Sequence, residues 1–333
     1  MRTQTQKAPT LALILPAYNE EEGLIQTVVK LGQIKDRLLA HDAIAEDSYI
    51  LIVDDGSKDE TYKVMKSLQS TTADIKTVKL SRNFGHQNAL MAGLQESVAS
   101  SDMTITLDAN LQDNPDIIEE MVTKYRKGFD IVYAVRSNRE NDTWFKKNSA
   151  EAFYKFAAWL GVELVPNHAD FRLMSKRAVQ ALLSMPERNL FLRAMVPRIG
   201  YPQTTVEYVR GVRKAGESKY PLKKMLAFAV DGITSFSVKP LQLLFYLGLV
   251  ISSVAGIEIT YTLVQKAIGD PTAGWSSLMI SIWLLGGLNL TAFGIIGTYI
   301  GKIFTETKAR PLFYIEEEKN PGLNRRFTMK QAQ

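Results

Sequence analysis

Residues 104–116 read TITLDANLQDNPD, and this stretch combines the end of a strand with a group of oxygen-bearing side chains. Its first residues are mostly β-branched, as is typical of strands. The side chains at alternate positions after the strand are those of Asp108, Asn110 and Gln112. In an extended chain alternate side chains point to the same face, so these three can contact one ion. Carboxylate and amide oxygens suit Mg²⁺ and Mn²⁺, and we therefore predict a divalent metal site here.

The same arrangement, an apolar strand that ends in polar residues, recurs along the first half of the chain. The strand-like segments are TLALILPAYNE, SYILIVDDGSKDET, IKTVKLS, MTITLDANLQD and FDIVYAVR, and segments with helical periodicity separate them. Strands that alternate with helices predict an α/β fold with a mostly parallel sheet. In such sheets the ligand site lies at the carboxyl ends of the strands.

Four polar clusters fall at these strand ends. They are Tyr18–Glu20, Asp54–Ser57, Arg82–Asn83 and Asp108–Gln112. Because the carboxyl ends of parallel strands meet at one edge, the clusters predict one shared site. No G-x-G-x-x-G or G-x-x-x-x-G-K motif is present, which argues against dinucleotide binding and P-loop chemistry. A divalent ion can instead compensate the charge of a diphosphate.

Length, charge and cysteine content set further limits. A chain of 333 residues favours two folded units over one. The net charge of +5 and the pI near 9.1 indicate an anionic partner. Without a basic helix or an aromatic-rich sheet motif we expect no nucleic acid, and lipid or substrate phosphate fits better. The absence of cysteine excludes disulfides and agrees with a cytoplasmic location. The residues near Met1 contain no apolar run, so we expect no cleavable signal peptide.

Two long uncharged segments lie at residues 240–257 and 274–301. At about 1.5 Å per helical residue, each can cross a hydrocarbon layer of ~30 Å. Lys239 precedes the first segment, and Lys302 and Lys308 follow the second. Because lysine-rich and arginine-rich flanks stay in the cytoplasm, we predict a two-helix hairpin in the plasma (inner) membrane. The large domain and both termini would be cytoplasmic.

The segment before the hairpin reads PLKKMLAFAVDGITSFSVK, with lysines and apolar residues at roughly helical spacing. This pattern predicts an amphipathic helix in the membrane interface. The predicted organisation is an α/β domain at 1–215, a juxtamembrane amphipathic segment at 216–238, the hairpin at 239–304 and a cytoplasmic C-terminal tail at 305–333.

Six motifs follow one another in a fixed order. They are LPAYNEEEGL, IVDDGSKDET, LSRNFGHQNAL, LDANLQDNPD, ADFRLMSKRAV and RGVRKAGESKYPLKKM. Together they resemble the motifs of family 2 glycosyltransferases, and more narrowly those of the polyisoprenyl-phosphate hexose synthases, the group of bactoprenol glucosyltransferase and dolichol-phosphate mannose synthase. The resemblance implies a GT-A fold and inverting transfer of a hexose from a nucleotide-sugar to a polyprenyl phosphate. UDP-glucose and undecaprenyl phosphate are the favoured substrates, although enzymes for other sugars share these motifs.

For the donor, the resemblance implies contacts from the first three motifs. The implied nucleotide-sugar ligands are Pro16, Tyr18, Glu20, Asp54, Asp55 and Arg82. Tyr18 would lie near the base and Glu20 near the ribose, which suits an aromatic ring and a carboxylate. Arg82 would lie beside the diphosphate or the sugar.

The fourth motif occupies the place of the family's D-x-D-x-Q metal motif. The resemblance therefore implies Mg²⁺ or Mn²⁺ at Asp108, Asn110 and Gln112, with Asp108 also catalytic. The family usually has Asp where this chain has Asn110. An amide still binds a hard cation but carries no charge, so we expect weaker metal binding until the donor diphosphate adds its own charge. Asp113 is the alternative carboxylate ligand.

On the acceptor side, the resemblance places Asp170 of ADFRLMSK beside the acceptor as a catalytic base or an orienting group. A phosphate monoester has a second pKa near 6 and is largely ionised at neutral pH, which favours the orienting role. A structural pair with Arg172 is the alternative. The predicted ligands of the acceptor phosphate are Arg172, Arg210, Arg213, Ser218 and Lys219.

Two other functions stay open. A synthase that extends a glycan chain would share the fold, but such enzymes usually carry a Q-x-x-R-W motif, and FLRAMVPRIG lacks the tryptophan. A membrane protein that binds nucleotide-sugar without turnover is supported only by Asn110. For assembly, Gly297 and Gly301 form a G-x-x-x-G pair that can pack helices between subunits, so we expect a homo-oligomer, a tetramer or a dimer.

Overall fold

The structure is a computed structural model, and it describes residues 7–110, 113–136, 168–209, 234–235, 237–268 and 274–318. These residues belong to two compact units. The first unit contains the described residues before 137, those from 168 to 209 and those from 310 to 318. The second unit contains the described residues from 234 to 309.

An eight-stranded sheet forms the centre of the first unit. In chain order its strands are β1 (Leu11–Ala17), β2 (Tyr49–Asp54), β3 (Ile75–Leu80), β4 (Met103–Thr106), β5 (Ile131–Arg136), β6 (His168–Ser175), β7 (Gln203–Tyr208) and β8 (Ile315–Glu318). Their spatial order is β7-β5-β6-β4-β1-β2-β3-β8. β4, β1, β2 and β3 run parallel to one another, while β6 runs antiparallel to its neighbours β4 and β5. The predicted α/β fold is confirmed.

The five strands predicted from the sequence correspond to β1 to β5. β6 arises from the ADFRLMSK motif, which the sequence analysis used for site residues without assigning a strand. Apolar and charged residues alternate along β6, and its apolar residues Phe171 and Leu173 join the apolar core of the first unit. The charged residues Asp170 and Arg172 between them hide that alternation, since charged side chains are rarely found inside a sheet.

Helices pack against this sheet. They are α1 (Leu24–Ala40), α2 (Thr61–Thr71), α3 (His86–Ser97), α4 (Ile118–Arg126), α5 (Lys176–Leu183) and α6 (Leu192–Arg198). β1 and β2 are buried along their whole length, which explains why their sequences are almost continuous apolar runs. α3 approaches the sheet so closely that a Cβ at Gly93 would lie 2.4 Å from Ile14 Cγ2. A larger residue there would displace Ile14.

The second unit contains two long apolar helices, α7 (Lys239–Ile268) and α8 (Trp275–Lys308). Windows within them, Lys239–Ile257 and Leu284–Lys308, have mean hydropathies of 1.8 and 1.4 and meet the length and composition of membrane-spanning helices. Neither window is buried within the protein, in contrast to the core helix of a soluble domain. The two apolar helices agree with the predicted hairpin.

The residues after α8 contribute to the first unit. β8 pairs antiparallel with β3, and the Ser81 amide donates a hydrogen bond to the Tyr314 carbonyl at 2.9 Å. The sequence predicts a separate C-terminal tail at residues 305–333, and no strand is predicted within it. Charged residues are nevertheless common on an edge strand, where one side of the strand faces solvent.

Candidate active site

At the carboxyl end of β2, Asp54 offers an unoccupied carboxylate oxygen. The residue is fully buried, and its Oδ1 accepts a hydrogen bond from the Ser57 amide at 3.0 Å. Its Oδ2 has no hydrogen-bond partner among the described residues. Buried polar atoms are nearly always paired, so this oxygen is suited to accept a hydrogen bond from a ligand.

Asp55, the next residue, instead holds the loop that follows β3. Its carboxylate oxygens accept hydrogen bonds from the amides of Phe84 at 2.7 Å and Gly85 at 2.9 Å. Burial raises the pKa of Asp55, and the two amide hydrogen bonds oppose that rise. Gly56 has a φ of +67°, and a Cβ there would lie 2.3 Å from the Arg82 carbonyl carbon. The loops after β2 and β3 therefore meet backbone to backbone, and glycine is required at the contact.

The loop after β1 is fixed in turn to the loop after β2. The Asn19 amide donates a hydrogen bond to Ser57 Oγ at 3.0 Å, and the Asn19 side chain accepts one from the Lys58 amide at 2.9 Å. Tyr18 precedes this anchor and is 40% exposed. Its ring is thus accessible for stacking on a planar ligand.

The remaining predicted donor ligands lie at the same edge. Pro16 is buried in β1, one residue before the strand ends. The Glu20 amide donates to Thr61 Oγ1 at 2.8 Å, and burial together with the charge of Asp108 raises the pKa of Glu20. Arg82 is exposed, and its guanidinium lies 4.1 Å from the centre of the Phe84 ring.

A second group of charged side chains gathers beyond the ends of β4 and β6. We call His86, Asp108, Asp170, Arg172 and Arg193 the charged cluster. His86 Nε2 lies 3.6 Å from Asp108 Oδ1 and 3.5 Å from Asp170 Oδ2. Arg172 Nη2 contacts Asp170 Oδ1 at 2.6 Å, and Arg193 Nε lies 3.6 Å from the same oxygen. The fold thus brings residues from β6, α3, α6 and the loop after β4 to one place.

The position of Arg172 contradicts its predicted role as a ligand of the acceptor phosphate. Its side chain is 1% exposed, and its Nη1 donates a hydrogen bond to the Leu192 carbonyl at 3.2 Å. Arg172 lies two residues after Asp170 on β6, so both side chains share one face of the strand. A buried guanidinium needs a partner inside the protein, and Asp170 supplies it. Asp170 and Arg172 thus form a buried ion pair, and the role of Asp170 toward the acceptor stays a prediction.

The same contacts set the protonation of Asp170. Burial alone would raise its pKa, but the hydrogen bond with His86 and the charges of Arg172 and Arg193 outweigh burial and hold the pKa well below its usual range. Burial lowers the pKa of His86, yet the carboxylates of Asp170 and Asp108 outweigh it and raise that pKa above the usual value. An acid with so low a pKa is a weak base at neutral pH. The geometry favours an orienting role for Asp170.

The predicted metal ligands lie in the loop after β4. Asp108 is half-buried and Asn110 is exposed, and between them the buried Ala109 is fixed by a hydrogen bond from Thr27 Oγ1 to its carbonyl at 2.5 Å. This alternation leaves a carboxylate and an amide on the accessible side, a donor set that suits a hard divalent cation whose other ligands come from phosphate and water. Gln112 lies outside the described residues, and within the described part no three His, Asp or Glu residues group as a metal site.

Asp113 follows in this loop, and its carboxylate is already engaged. Its Oδ1 accepts a hydrogen bond from the Tyr208 hydroxyl at 2.5 Å and lies 3.3 Å from Arg136 Nη2, and the side chain is 6% exposed. Asp113 therefore connects the loop after β4 to β5 and β7. Its position does not support the alternative that it replaces Asn110 as a metal ligand.

Two members of the charged cluster were missed by the sequence analysis. His86 was set aside because the three histidines are scattered through the chain. A signal was nevertheless present, since LSRNFGHQNAL places His86 in the segment that follows a strand, six residues after β3 ends and at the start of α3. Arg193 lies in the FLRAMVPRIG segment, which was considered only for its missing tryptophan. Neither contact with Asp170 can be inferred from sequence distance.

The other predicted acceptor ligands are not placed. Arg210, Arg213, Ser218 and Lys219 lie outside the described residues, together with most of the amphipathic segment before α7. Their role in acceptor binding remains a prediction.

Comparisons with known proteins identify the family of this chain. The family model described as "Glycosyl transferase family 2" matches residues 12–183. A Bacillus subtilis protein named "Uncharacterized glycosyltransferase YkoT" is 48% identical over 93% of this chain and 92% of its own length. The "Bactoprenol glucosyl transferase" of Shigella phage SfV is 36% identical over 93% of this chain and 99% of its own length.

Among solved structures, the mannosyltransferase PcManGT from Pyrobaculum calidifontis, in complex with GDP-Man and Mn²⁺, is similar at a TM-score of 0.44 and 14% identity. The match covers 90% of this chain and 86% of that one.

The family match spans β1 to α5, and with the mostly parallel sheet it confirms the predicted GT-A class. The motifs that carry the sequence resemblance lie largely within the matched residues, and the relatives extend the similarity through both apolar helices. The chain belongs to glycosyl transferase family 2, and it is a glycosyltransferase.

Proposed function

We propose that the protein transfers a hexose, with glucose from UDP-glucose favoured, to a polyprenyl phosphate such as undecaprenyl phosphate. The observation that carries the proposal is the charged cluster, which combines an ionised Asp170 with Asp108 at the carboxyl ends of the strands. The full-length similarity to a relative named bactoprenol glucosyl transferase supports the choice of sugar and lipid.

The nucleotide would bind across the ends of β1, β2 and β3. Asp54 Oδ2 is the acceptor for an N–H or O–H group of the nucleoside, because it is buried and unpaired among the described residues. Tyr18 would stack on the base and Glu20 would accept from the ribose, with Pro16 shaping the loop. Asp55 acts through the loop that it holds, and that loop presents Arg82 to the diphosphate.

The metal would be Mg²⁺ or Mn²⁺, held by Asp108 and Asn110 and completed by Gln112 and the diphosphate. When bound, such an ion stabilises the charge that develops on the leaving diphosphate. Because Asn110 carries no charge, Asp108 is the principal anionic ligand from this chain.

In the reaction, an oxygen of the lipid phosphate would form a bond with the anomeric carbon of the sugar. The bond from that carbon to the donor diphosphate breaks, and the nucleoside diphosphate leaves with the electron pair. A single displacement of this kind inverts the anomeric carbon. The acceptor phosphate needs no strong base, so Asp170 would orient the sugar and the acceptor, and the acceleration would come from positioning and charge.

The site would face the cytoplasm from a plasma-membrane hairpin. β8 lies after the hairpin and pairs with β3, which lies before it, so both flanks of the hairpin belong to one sheet. This pairing supports an even number of crossings, as in the proposed two-helix hairpin. Lys239, Lys302 and Lys308 flank the helices and favour a cytoplasmic side for both flanks. Arg210, Arg213, Ser218 and Lys219 would contact the lipid phosphate, and the subunits would assemble as a tetramer or dimer.

A transfer assay tests the proposal. The purified full chain in detergent is given undecaprenyl phosphate and a panel of radiolabelled nucleotide-sugars, with Mg²⁺, Mn²⁺ or EDTA, and label in the organic extract is counted. We expect label from UDP-glucose that is lost with EDTA. Label from a different donor would correct the sugar, and transfer that survives EDTA would overturn the metal. Binding of UDP without transfer from any donor would overturn the proposed activity in favour of a non-catalytic nucleotide-sugar-binding protein.

A further inference from the structure

Among the described residues, three basic side chains lie next to the carboxylate of Asp170, and they differ in their exposure to solvent and in their other contacts. Arg172 contacts Oδ1 at 2.6 Å with a side chain that is 1% exposed. Arg193 lies 3.6 Å from the same oxygen with a side chain that is 39% exposed. His86 lies 3.5 Å from Oδ2. Arg172 therefore serves as the internal counterion of Asp170, while Arg193 reaches the cluster from the accessible side.

The contact between Arg193 and Asp170 is too long for a hydrogen bond. A donor–acceptor distance of 3.6 Å lies beyond the usual 2.7–3.2 Å for N–H···O bonds. Since Arg172 already compensates Asp170, the guanidinium of Arg193 is not needed as a counterion. The charged cluster holds two carboxylates and two guanidinium groups, and a divalent ion at Asp108 would shift this balance toward positive charge for an incoming anion.

The backbone that carries Arg193 is fixed by the site itself. The preceding residue, Leu192, donates its amide to Gln87 Oε1 at 2.9 Å and accepts a hydrogen bond at its carbonyl from Arg172 Nη1 at 3.2 Å. Gln87 is adjacent to His86 on α3. Gln87 on α3 and Arg172 on β6 thus fix the backbone at the start of α6. A side chain on a fixed backbone loses less conformational entropy when it binds a ligand.

We propose that Arg193 binds a phosphate group in the reacting complex, and we assign it to the phosphate of the lipid acceptor. The inference rests on the proposed function. The guanidinium presents a planar pair of N–H donors that matches two phosphate oxygens. The donor diphosphate already has Arg82 and the metal at Asp108 as partners. Arg193 thus takes the role that the buried Arg172 cannot fill.

The test compares Arg193→Gln and Arg193→Lys with Arg126→Gln, which removes the same charge from an exposed position on α4. We expect Arg193→Gln to raise the KM for undecaprenyl phosphate by about 10- to 100-fold, the effect of losing a hydrogen bond to a charged group. The KM for UDP-glucose should stay nearly constant. Arg193→Lys should give an intermediate KM for undecaprenyl phosphate, because lysine keeps the charge and loses the planar pair of N–H donors. Arg126→Gln should have the same KM as the unchanged chain. Circular dichroism verifies that each variant is folded.

Other outcomes would overturn the assignment. A rise in the KM for UDP-glucose alone would assign Arg193 to the donor diphosphate. A fall in kcat with both KM values unchanged would mean that Arg193 acts only by positioning Asp170. Equal behaviour of Arg193→Gln and Arg126→Gln would remove any role in phosphate binding.

Direct binding separates this inference from the proposed function. The Kd of undecaprenyl phosphate is measured in detergent without donor, by titration calorimetry, for the unchanged chain and for Arg193→Gln. A Kd that rises in the variant supports the inference even if no donor is turned over. If the unchanged chain transfers glucose and the variant binds the lipid equally well, the inference fails while the proposed function stands. No binding of the lipid by the unchanged chain would overturn both.

Discussion

Two aspartate–arginine pairs lie at opposite ends of β6, and they serve different purposes. Asp130 precedes β5 and accepts hydrogen bonds from Ser175 Oγ at 2.7 Å and Arg177 Nε at 2.6 Å at the end of β6. Asp170 lies near the start of β6 and pairs with Arg172. Arg177 is 60% exposed, whereas the Arg172 side chain is almost entirely buried.

The difference lies in how the charge of each carboxylate is matched. Asp130 contacts one hydroxyl, that of Ser175 at the end of β6, and one guanidinium, that of Arg177 in the helix that follows. These contacts connect the start of β5 to the end of β6. Asp170 has an arginine that cannot leave, and a second arginine and a histidine from other elements surround it. We expect the additional cations around Asp170 to favour the binding of an anion, whereas the contacts of Asp130 stabilise the fold.

The largest expected effect is that of Arg172→Met. Removing one partner of a buried ion pair typically lowers the free energy of unfolding by about 3–5 kcal/mol, because the other charge stays buried. We also expect transfer to be lost, since Asp170 would no longer be oriented. Urea unfolding and the lipid-transfer assay measure the two effects. Arg177→Met is the matched control, with a small loss of stability and normal transfer; equal losses in both variants would contradict the distinction between the pairs.

The next effect is that of Asp108→Asn, which changes the second acid of the charged cluster and leaves both aspartate–arginine pairs intact. Transfer should fall by about 10²- to 10³-fold, as for the loss of one group that stabilises charge in a transition state. Thermal stability should hardly change, because the Asp108 side chain is half-buried and accepts no hydrogen bond from the backbone in the described structure. Transfer rates measured over a range of Mg²⁺ and Mn²⁺ concentrations test this prediction. Normal transfer would exclude Asp108 as the metal ligand.

The smallest effect is that of Asp130→Asn, which should lower the unfolding midpoint by a few degrees and leave kcat unchanged. Burial would raise the pKa of Asp130, but Arg177 and Ser175 outweigh it and lower the pKa. A carboxyl whose folded pKa is depressed contributes stability above its unfolded value of about 3.9 and loses it as pH falls through the folded pKa. The difference between Asp130→Asn and the unchanged chain should thus be full at pH 7 and vanish in acid. Thermal unfolding at several pH values measures it, and a loss of kcat would place Asp130 in the active site.

The sequence predicts the parallel strands and the edge where the site lies because apolar runs and strand-end polar residues are local signals. The buried Arg172 escapes prediction, since a charged residue reads as exposed until a strand is assigned to its segment. Once β6 is known, the spacing of Asp170 and Arg172 by two places them on one face. The contacts of His86 and Arg193 depend on how α3 and α6 pack, and no local pattern encodes that.

The pairing of β8 with β3 has a consequence for biosynthesis. The ribosome delivers β8 only after both apolar helices have been made, so β8 can pair with β3 only after the helices are synthesised. Until then β3 is an open edge that another chain could extend. Lys76 and Lys79 on β3 protect it during this interval, because charged side chains on an edge strand discourage intermolecular pairing. Once β8 has paired with β3, Lys79 Nζ lies 2.8 Å from Glu316 Oε2 on β8, and the same lysine then forms an ion pair between the two strands.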